Sequence, residues 1–283
     1  MAKRRAKLEA APITPLRLSR SIQTLVVYGG SFDPPHEYHL NACHLGTSIF
    51  GTKHVATLYV PAARNPLKPA GPFASDEHRV AMLLAGEREN KRNEIDGVPG
   101  GVWGVWTDEI DRARWYSERG EPQVPSYTID TVRRLRSILP SRVTLRLLIG
   151  SDQALAFHKW KEWRALLREA EPLVALRDPA PTPKALVEQL DPMVWSLRER
   201  LAWAVRIAPY PARLYSSTQI RRLLPRQPLA YSKWSDDAKM VTKEVAQYII
   251  KHRLYGVGTK CVPTRVGVPP RSARGGRAKV RGK

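Results

Sequence analysis

Short runs of β-branched and aliphatic residues alternate along this chain with longer stretches in which apolar residues recur every three or four positions. A strand covered on both faces of a parallel sheet reads as a continuous apolar run, whereas a surface helix shows one apolar stripe. The alternation predicts an α/β core, a parallel sheet with helical crossovers. Thr24-Leu25-Val26-Val27-Tyr28 predicts the first buried strand, and residues 37–50 a helix. Residues 54–60 predict a second strand, followed by a helix from Ser75 with Asp76 and Glu77 in its first turn. Further on, residues 126–139 predict a helix capped by Ser126, 143–149 a strand, 160–170 a helix and 172–176 a strand.

The Asp178-Pro179-Ala180-Pro181-Thr182-Pro183 run predicts a loop without helical capacity, where a domain boundary could fall. Strand-like Arg213-Leu214-Tyr215, a Ser/Ser/Thr helix start and a last helix over 236–252 argue that the same domain continues. The polar stretch 109–126 predicts an exposed loop, and residues 62–74 and 112–124 are candidate lids.

Composition sharpens this picture. At 283 residues, with 42% hydrophobic and 26% charged residues, the chain can bury a substantial core, which excludes whole-chain disorder and collagen-like repeats. No stretch approaches the roughly 18 uncharged apolar residues of a bilayer-spanning helix, and the apolar run at 24–28 is too short for a signal-peptide core. The expectation is a cytoplasmic protein without membrane contact. Cys43 and Cys261 lack the spacing of a zinc or redox pair and read as free thiols.

Net charge is +21, and the ends carry most of it: residues 1–20 hold six basic and one acidic residue, and residues 259–283 hold eight basic and none acidic. Both ends lack apolar periodicity, so the expected division is a disordered basic extension over 1–20, a folded domain over 21–258 and a disordered basic tail over 259–283. Such tails suit nonspecific contact with RNA or another polyanion, or simply keep the protein soluble.

Two motifs carry candidate chemistry. Gly29-Gly30-Ser31-Phe32-Asp33-Pro34-Pro35-His36-Glu37-Tyr38-His39-Leu40 links the first strand to the first helix. Its glycines allow close backbone approach to a ligand, the helix start offers N–H donors, and His36 and His39 share a helix face. Two imidazoles there suit oxygens that gain charge during phosphoryl or nucleotidyl transfer. A zinc site is the rival, but the histidines are three apart rather than four and no further ligand sits at metal spacing. The dinucleotide fingerprint and the Walker A loop are absent. The second motif, Ser216-Ser217-Thr218-Gln219-Ile220-Arg221, places hydroxyls at a helix start one turn before an arginine; alone it is a helix cap, and with the first motif it becomes an opposing jaw.

The two motifs, in this order, resemble the nucleotidyltransferase superfamily marked by His-x-Gly-His and Ser-Ser-Thr-x-x-Arg. Ser126-Tyr127-Thr128-Ile129-Asp130-Thr131, Gly150-Ser151-Asp152, Trp160 and the stretch from Val245 to Tyr255 are similar to the bacterial nicotinate-nucleotide adenylyltransferases, collinearly from about Leu25 to Tyr255. Class I tRNA synthetases share the histidine motif but also need a lysine-rich loop that is not found here. The resemblance implies a Rossmann-like doubly wound parallel sheet with a small helical C-terminal part. It also implies transfer of AMP from ATP to nicotinate mononucleotide, with Mg²⁺ accompanying ATP and no protein metal site.

Carried onto this chain, the resemblance makes His36, His39, Lys68 and Arg221 the catalytic residues. Gly29, Gly30, Ser31, Phe32, Gly150, Asp152, Ser217 and Thr218 join His36, His39 and Arg221 in ATP binding, with Asp152 on a ribose hydroxyl. Ser31, Lys68, Tyr127, Thr128 and Trp160 would hold the mononucleotide, Trp160 by stacking on the pyridine. Tyr38 stands where the family has glycine, and its ring is expected to cover, shift or partly block the adenine pocket and so change ATP affinity. Two alternatives stay open: an enzyme for nicotinamide mononucleotide, and a nucleic-acid-binding protein on the same fold with impaired catalysis.

Overall fold

The computed structural model describes residues 9–50, 54–64, 71–92, 102–121, 125–208 and 215–259. Five parallel strands form its sheet: β1 (Thr24–Gly30), β2 (Val55–Pro61), β3 (Val102–Val105), β4 (Thr144–Gly150) and β5 (Glu171–Ala175), in the order β3-β2-β1-β4-β5. β1 pairs with β2 from Thr24 opposite Val55 to Gly30 opposite Pro61, and with β4 from Thr24 opposite Thr144. The chain winds outward in one direction through β2 and β3, then returns to the other side of β1 for β4 and β5. The reversal opens a crevice at the carboxyl ends of β1 and β4, where open α/β sheets collect ligands.

The strands are apolar throughout because both faces are covered. Alternate residues of β1 serve opposite layers: Leu25 and Val27 belong to one buried cluster, Val26 and Tyr28 to the other. The first motif is followed by α1 (Glu37–Leu40) and α2 (Ala42–Phe50), two helices in place of the single one expected over 37–50. α3 (Asp76–Arg92) follows β2, and α4 (Asp108–Glu118) follows β3. α5 (Thr128–Ile138) leads to β4, which passes directly into α6 (Ser151–Leu155); a 3-10 turn over Phe157–Lys159 and α7 (Trp163–Glu169) complete that crossover.

Beyond β5 come α8 (Pro183–Gln189), α9 (Leu197–Ala204), α10 (Ser217–Leu223) and α11 (Lys243–Lys251). Pro183, expected in a loop, is the first residue of α8, where its missing N–H costs nothing and the Thr182 hydroxyl accepts from Ala185 N–H at 3.1 Å. Leu186 and Leu190 join the same core as the sheet, and Ala208 N–H donates to Val174 O at 2.9 Å, so no second domain begins there. Of the expected strand over 213–215, only Tyr215 lies within the described residues, outside any regular element. The last helix is shorter than expected, and a separate 3-10 turn at Ala238–Met240 precedes it. No helix among the described residues is long and apolar enough to cross a membrane. Cys43 is buried, its thiol donating to Leu40 O at 3.1 Å, and Cys261 lies outside the described residues.

Two expectations are corrected. The stretch 109–126 is not an exposed loop throughout: its first part is α4, with Asp108, Glu109 and Ile110 buried. Three carboxylates in the first turn favour a helix start through the backbone dipole, but what holds them lies elsewhere in the chain. The second correction concerns the N-terminal extension. Residues 1–8 lie outside the described residues, but from residue 9 onward the segment is packed rather than disordered. Ala11 is buried, Thr14 N–H donates to Asp108 Oδ1 at 2.9 Å, and Thr14 Oγ1 donates to Asp111 Oδ2 at 2.7 Å. Trp106 Nε1 donates to Thr14 O at 2.9 Å, and Arg134 binds the carbonyls of Ala11 and Pro12. Ile13, Leu16 and Leu18 also pack against the apolar core, but the segment is not a helix or strand, so these residues leave no periodic apolar signature.

At the centre of this strap Arg134 forms a two-pronged pair with Asp108, at 2.6 and 2.7 Å, whose carboxylate is fully buried. Asp108→Ala leaves the largely buried guanidinium with its carbonyl partners but no carboxylate, a change that costs up to about 3 kcal/mol in such sites. The expected outcome is a lower urea midpoint with an unchanged slope; a midpoint equal to wild type would show that the strap contributes nothing to stability.

Candidate active site

The crevice at the carboxyl ends of β1 and β4 holds two cavities. The larger, about 600 Å³, is lined by the first motif from Tyr28 to Asp33, by His36 and His39, and by Asp152, Arg177, Ser217, Thr218 and Arg221. The smaller, about 150 Å³, is walled by Val27, Val60 and residues 147–149 of the sheet, and by Ser126, Tyr127, Thr128, Trp160 and Glu109. Gly29, Gly30, Gln153 and Trp160 line both, so the cavities meet over the end of β1.

Asp33 organises the first motif. Its Oδ2 accepts from Phe73 N–H at 2.7 Å, and its Oδ1 accepts from Ala74 N–H at 3.1 Å and Tyr255 OH at 2.7 Å. Burial and then the Asp33 charge push the Tyr255 phenol well above its ordinary value, so it stays a donor. Arg221 donates to the Asp33 carbonyl and sits 3.8 Å from its carboxylate; its other nitrogen donates to Thr218 Oγ1 at 3.1 Å. Ser217 Oγ donates to Pro34 O at 3.0 Å. The two motifs, joined by residue pairs 183 and 188 positions apart, thus form one wall.

His36 is 2% exposed, and among the described residues its Nδ1 has no hydrogen-bond partner. Burial, reinforced by the Arg177 charge, lowers its pKa from 6.5 to about 3, so the ring is neutral at physiological pH. The His36 backbone N–H donates to His39 Nδ1 at 3.4 Å, which puts the proton of a neutral His39 ring on Nε2. The two rings lie 3.8 Å apart, and Phe32 packs edge-on against His39 at 5.2 Å. Phe32 adopts a left-handed φ of 49°, and a Cβ on Gly30 would come within 3.0 Å of its ring, so glycine lets the loop close on itself.

Asp152, expected on a ribose, is held by Arg177 through bonds of 2.6 and 2.8 Å. Burial works against the Arg177 charge, and the Asp152 bonds more than offset it, holding its pKa above the ordinary arginine value. Gly150 lines neither cavity: a Cβ there would fall 2.4 Å from both Arg177 Nε and Asp152 Oδ1, so its place is beneath this pair. Trp160 stacks on Phe157 with centroids 5.1 Å apart, and Lys161 sits 4.9 Å above the Tyr127 ring. Ser31 lines the larger cavity, and its carbonyl accepts from buried Arg79 at 2.7 Å. Lys68 lies outside the described residues.

Tyr38 corrects an expectation. Its side chain is 5% exposed, belongs to the apolar cluster that includes Leu148 and Leu173, and lines neither cavity. The ring packs within this cluster rather than into either cavity, its centroid 6.4 Å from that of His36. Three residues that sequence reasoning missed, Arg177, Arg79 and Glu109, are each defined by tertiary partners; only the position of Arg177, just past a predicted strand, hinted at a site.

This geometry is that of a nucleotidyltransferase, a crevice at the sheet's switch point with paired histidines facing a serine-threonine-arginine wall, and the chain belongs to the cytidylyltransferase-like family, whose profile matches residues 27–223. Within that family it belongs with the nicotinate-nucleotide adenylyltransferases. It is 32% identical over 236 residues to a probable nicotinate-nucleotide adenylyltransferase of Chlorobium phaeobacteroides, covering 82% of this chain and 98% of that protein. A relative of the same name from Symbiobacterium thermophilum is 30% identical, with 82% and 94% covered. Among solved structures, the fold is similar to that of Plasmodium falciparum nicotinic acid mononucleotide adenylyltransferase complexed with NaAD, at TM-score 0.52 and 16% identity, covering 84% of this chain and 100% of that one.

The depressed His36 pKa sets a pH dependence. Between about 3 and 6.5 the unfolded chain protonates His36 and the folded one does not, so this contribution to stability is complete above 6.5 and lost as pH falls through that window. His36→Asn removes the titration. Chemical denaturation across this range is expected to show a shallower acid decline in the variant; parallel declines would place His36 in a solvated setting instead.

Proposed function

We propose that the protein transfers AMP from ATP to nicotinate mononucleotide, giving nicotinate adenine dinucleotide and pyrophosphate, as a cytoplasmic step of NAD biosynthesis. The observation that carries this reading is the junction of two unlike cavities over Gly29 and Gly30. The small one has a volume of the order that admits a single aromatic ring and is walled largely by apolar groups, which suits a pyridine. The large one has imidazoles and guanidinium groups for a triphosphate.

In this reading the mononucleotide phosphate oxygen attacks the α-phosphorus of ATP, the bond from that phosphorus to the bridging oxygen breaks, and pyrophosphate leaves with the electron pair. The nucleophile is already ionised, so no protein base is required, and positioning with charge stabilisation supplies the rate. His39 donates to the attacked phosphate, with neutral His36 beside it. Arg221, Ser217 and Thr218 hold the departing pyrophosphate. Asp152, oriented by Arg177, accepts from a ribose hydroxyl. Trp160, Tyr127 and Thr128 bound the pyridine.

Among the described residues no group of three or more His, Cys, Asp or Glu is placed to hold a metal ion. Mg²⁺ belongs in this reading to the substrate Mg-ATP. Lys68 is assigned to the phosphates on the resemblance alone, and the basic tails to nonspecific polyanion contact.

Pyrophosphate release from Mg-ATP with nicotinate mononucleotide, run beside nicotinamide mononucleotide, tests the assignment. Release should depend on the acid, and His39→Ala should lower kcat by about a hundredfold or more, the usual loss for one preorganised donor. Unchanged turnover in a folded His39→Ala protein would remove that residue from the reaction, and preference for the amide would reverse the choice of substrate.

A further inference from the structure

The small cavity contains one buried titratable residue that the transfer chemistry does not use. Glu109 is 6% exposed, lies on the cavity wall and accepts a 2.6 Å hydrogen bond from Thr131 Oγ1; the Ser126 hydroxyl also bonds to it. Its helix is pinned on both sides of it. Arg134 and Thr14 N–H hold Asp108, and the hydroxyls of Thr14 and Thr107 hold Asp111, each at 2.7 Å. Glu109 therefore faces the pocket from a fixed support.

The charges around it are few. On its own helix are Asp108, already paired, and Arg112 one turn on. On α5 and the segment before it the facing groups are the hydroxyls of Thr131 and Ser126. Across the cavity lie Lys159 and Lys161, the latter 3.1 Å from both oxygens of Asp130. The sheet contributes apolar Val27 and Val60. Burial raises the Glu109 pKa above the ordinary carboxylate value; the Thr131 bond, Arg112 and the Ser126 bond oppose this, and Asp108 adds to it.

Resting on the reading of this pocket as the pyridine site, we propose that the Glu109 carboxyl reads the pyridine substituent and ties the choice between acid and amide to its own proton. Protonated, it donates to a substrate carboxylate. Ionised, it repels that carboxylate and accepts from a carboxamide N–H instead. A buried polar group left with the wrong partner discriminates far more strongly than apolar packing does.

The test measures kcat/KM for nicotinate and nicotinamide mononucleotides from about pH 5 to 8.5 in wild type, Glu109→Gln and Thr131→Val. The phosphate common to both substrates cancels in their ratio. In wild type the acid-to-amide ratio should fall by about tenfold as Glu109 ionises, through KM for the mononucleotide and not KM for ATP. Glu109→Gln should make the ratio flat. Thr131→Val loses a bond that favours the ionised form, so the fall should move to higher pH, and this arm decides the matter if the glutamine variant does not fold. A wild-type ratio that does not change with pH, the same pH dependence in Glu109→Gln, or a midpoint unmoved by Thr131→Val, overturns the proposal. Wild-type turnover of neither mononucleotide is a different result: it overturns the activity itself and this inference with it.

Discussion

The Asp33 carboxylate is the joint on which the site depends. It is buried, and its partners come from Phe73 and Ala74 just before α3, from the arginine of α10 and from Tyr255 near the end of the described chain. Bonds to a buried carboxylate are roughly twice as strong as neutral ones, because charge meets donor in a medium of low dielectric. One side chain thereby ties the loop after β1 to three segments that are far apart in the sequence. Tyr255 reaches it from a left-handed backbone position, φ 55°, an uncommon conformation for a large residue and one that such a bond can hold. The closed wall is the consequence: Arg221, bonded to the Asp33 carbonyl and to Thr218 Oγ1, lines the larger cavity together with Thr218.

How much of this was written legibly in the sequence follows from the range of each interaction. The strands β1, β2, β4 and β5 were readable within a residue or two, since burial on both faces demands a continuous apolar run. The capped start of α10 was readable because Ser216 and Gln219 satisfy each other locally, through the capping box. Helix α4 was not, because Asp108 and Asp111 are compensated by Arg134 and by Thr14, 26 and 97 positions away respectively. Polar residues with distant partners look like loop. The same blindness hid Arg177 and Glu109, and it misplaced Tyr38, whose number in the motif suggested a nucleotide contact while its ring packs into the core.

Two glycines expected from the sequence to let a ligand approach closely make room for the protein's own side chains. Gly30 accommodates the Phe32 ring, and Gly150 accommodates the Arg177–Asp152 pair. In both cases the missing side chain serves the protein's own packing, which then presents a functional group. The Arg177–Asp152 pair occupies the space that a Cβ at position 150 would take, and its two bonds fix the direction of the carboxylate.

The two cavities differ in the physical terms that matter for transfer. The larger collects cationic and donor groups beside a neutral, buried His36, whose low pKa results from burial first and from the Arg177 charge second. A neutral imidazole can donate one hydrogen bond without adding a charge that the leaving pyrophosphate would have to escape. The smaller cavity is built from apolar strand residues with a single buried carboxyl at its wall. Gly29 and Gly30, at the end of β1, line both cavities and put no side chain between them.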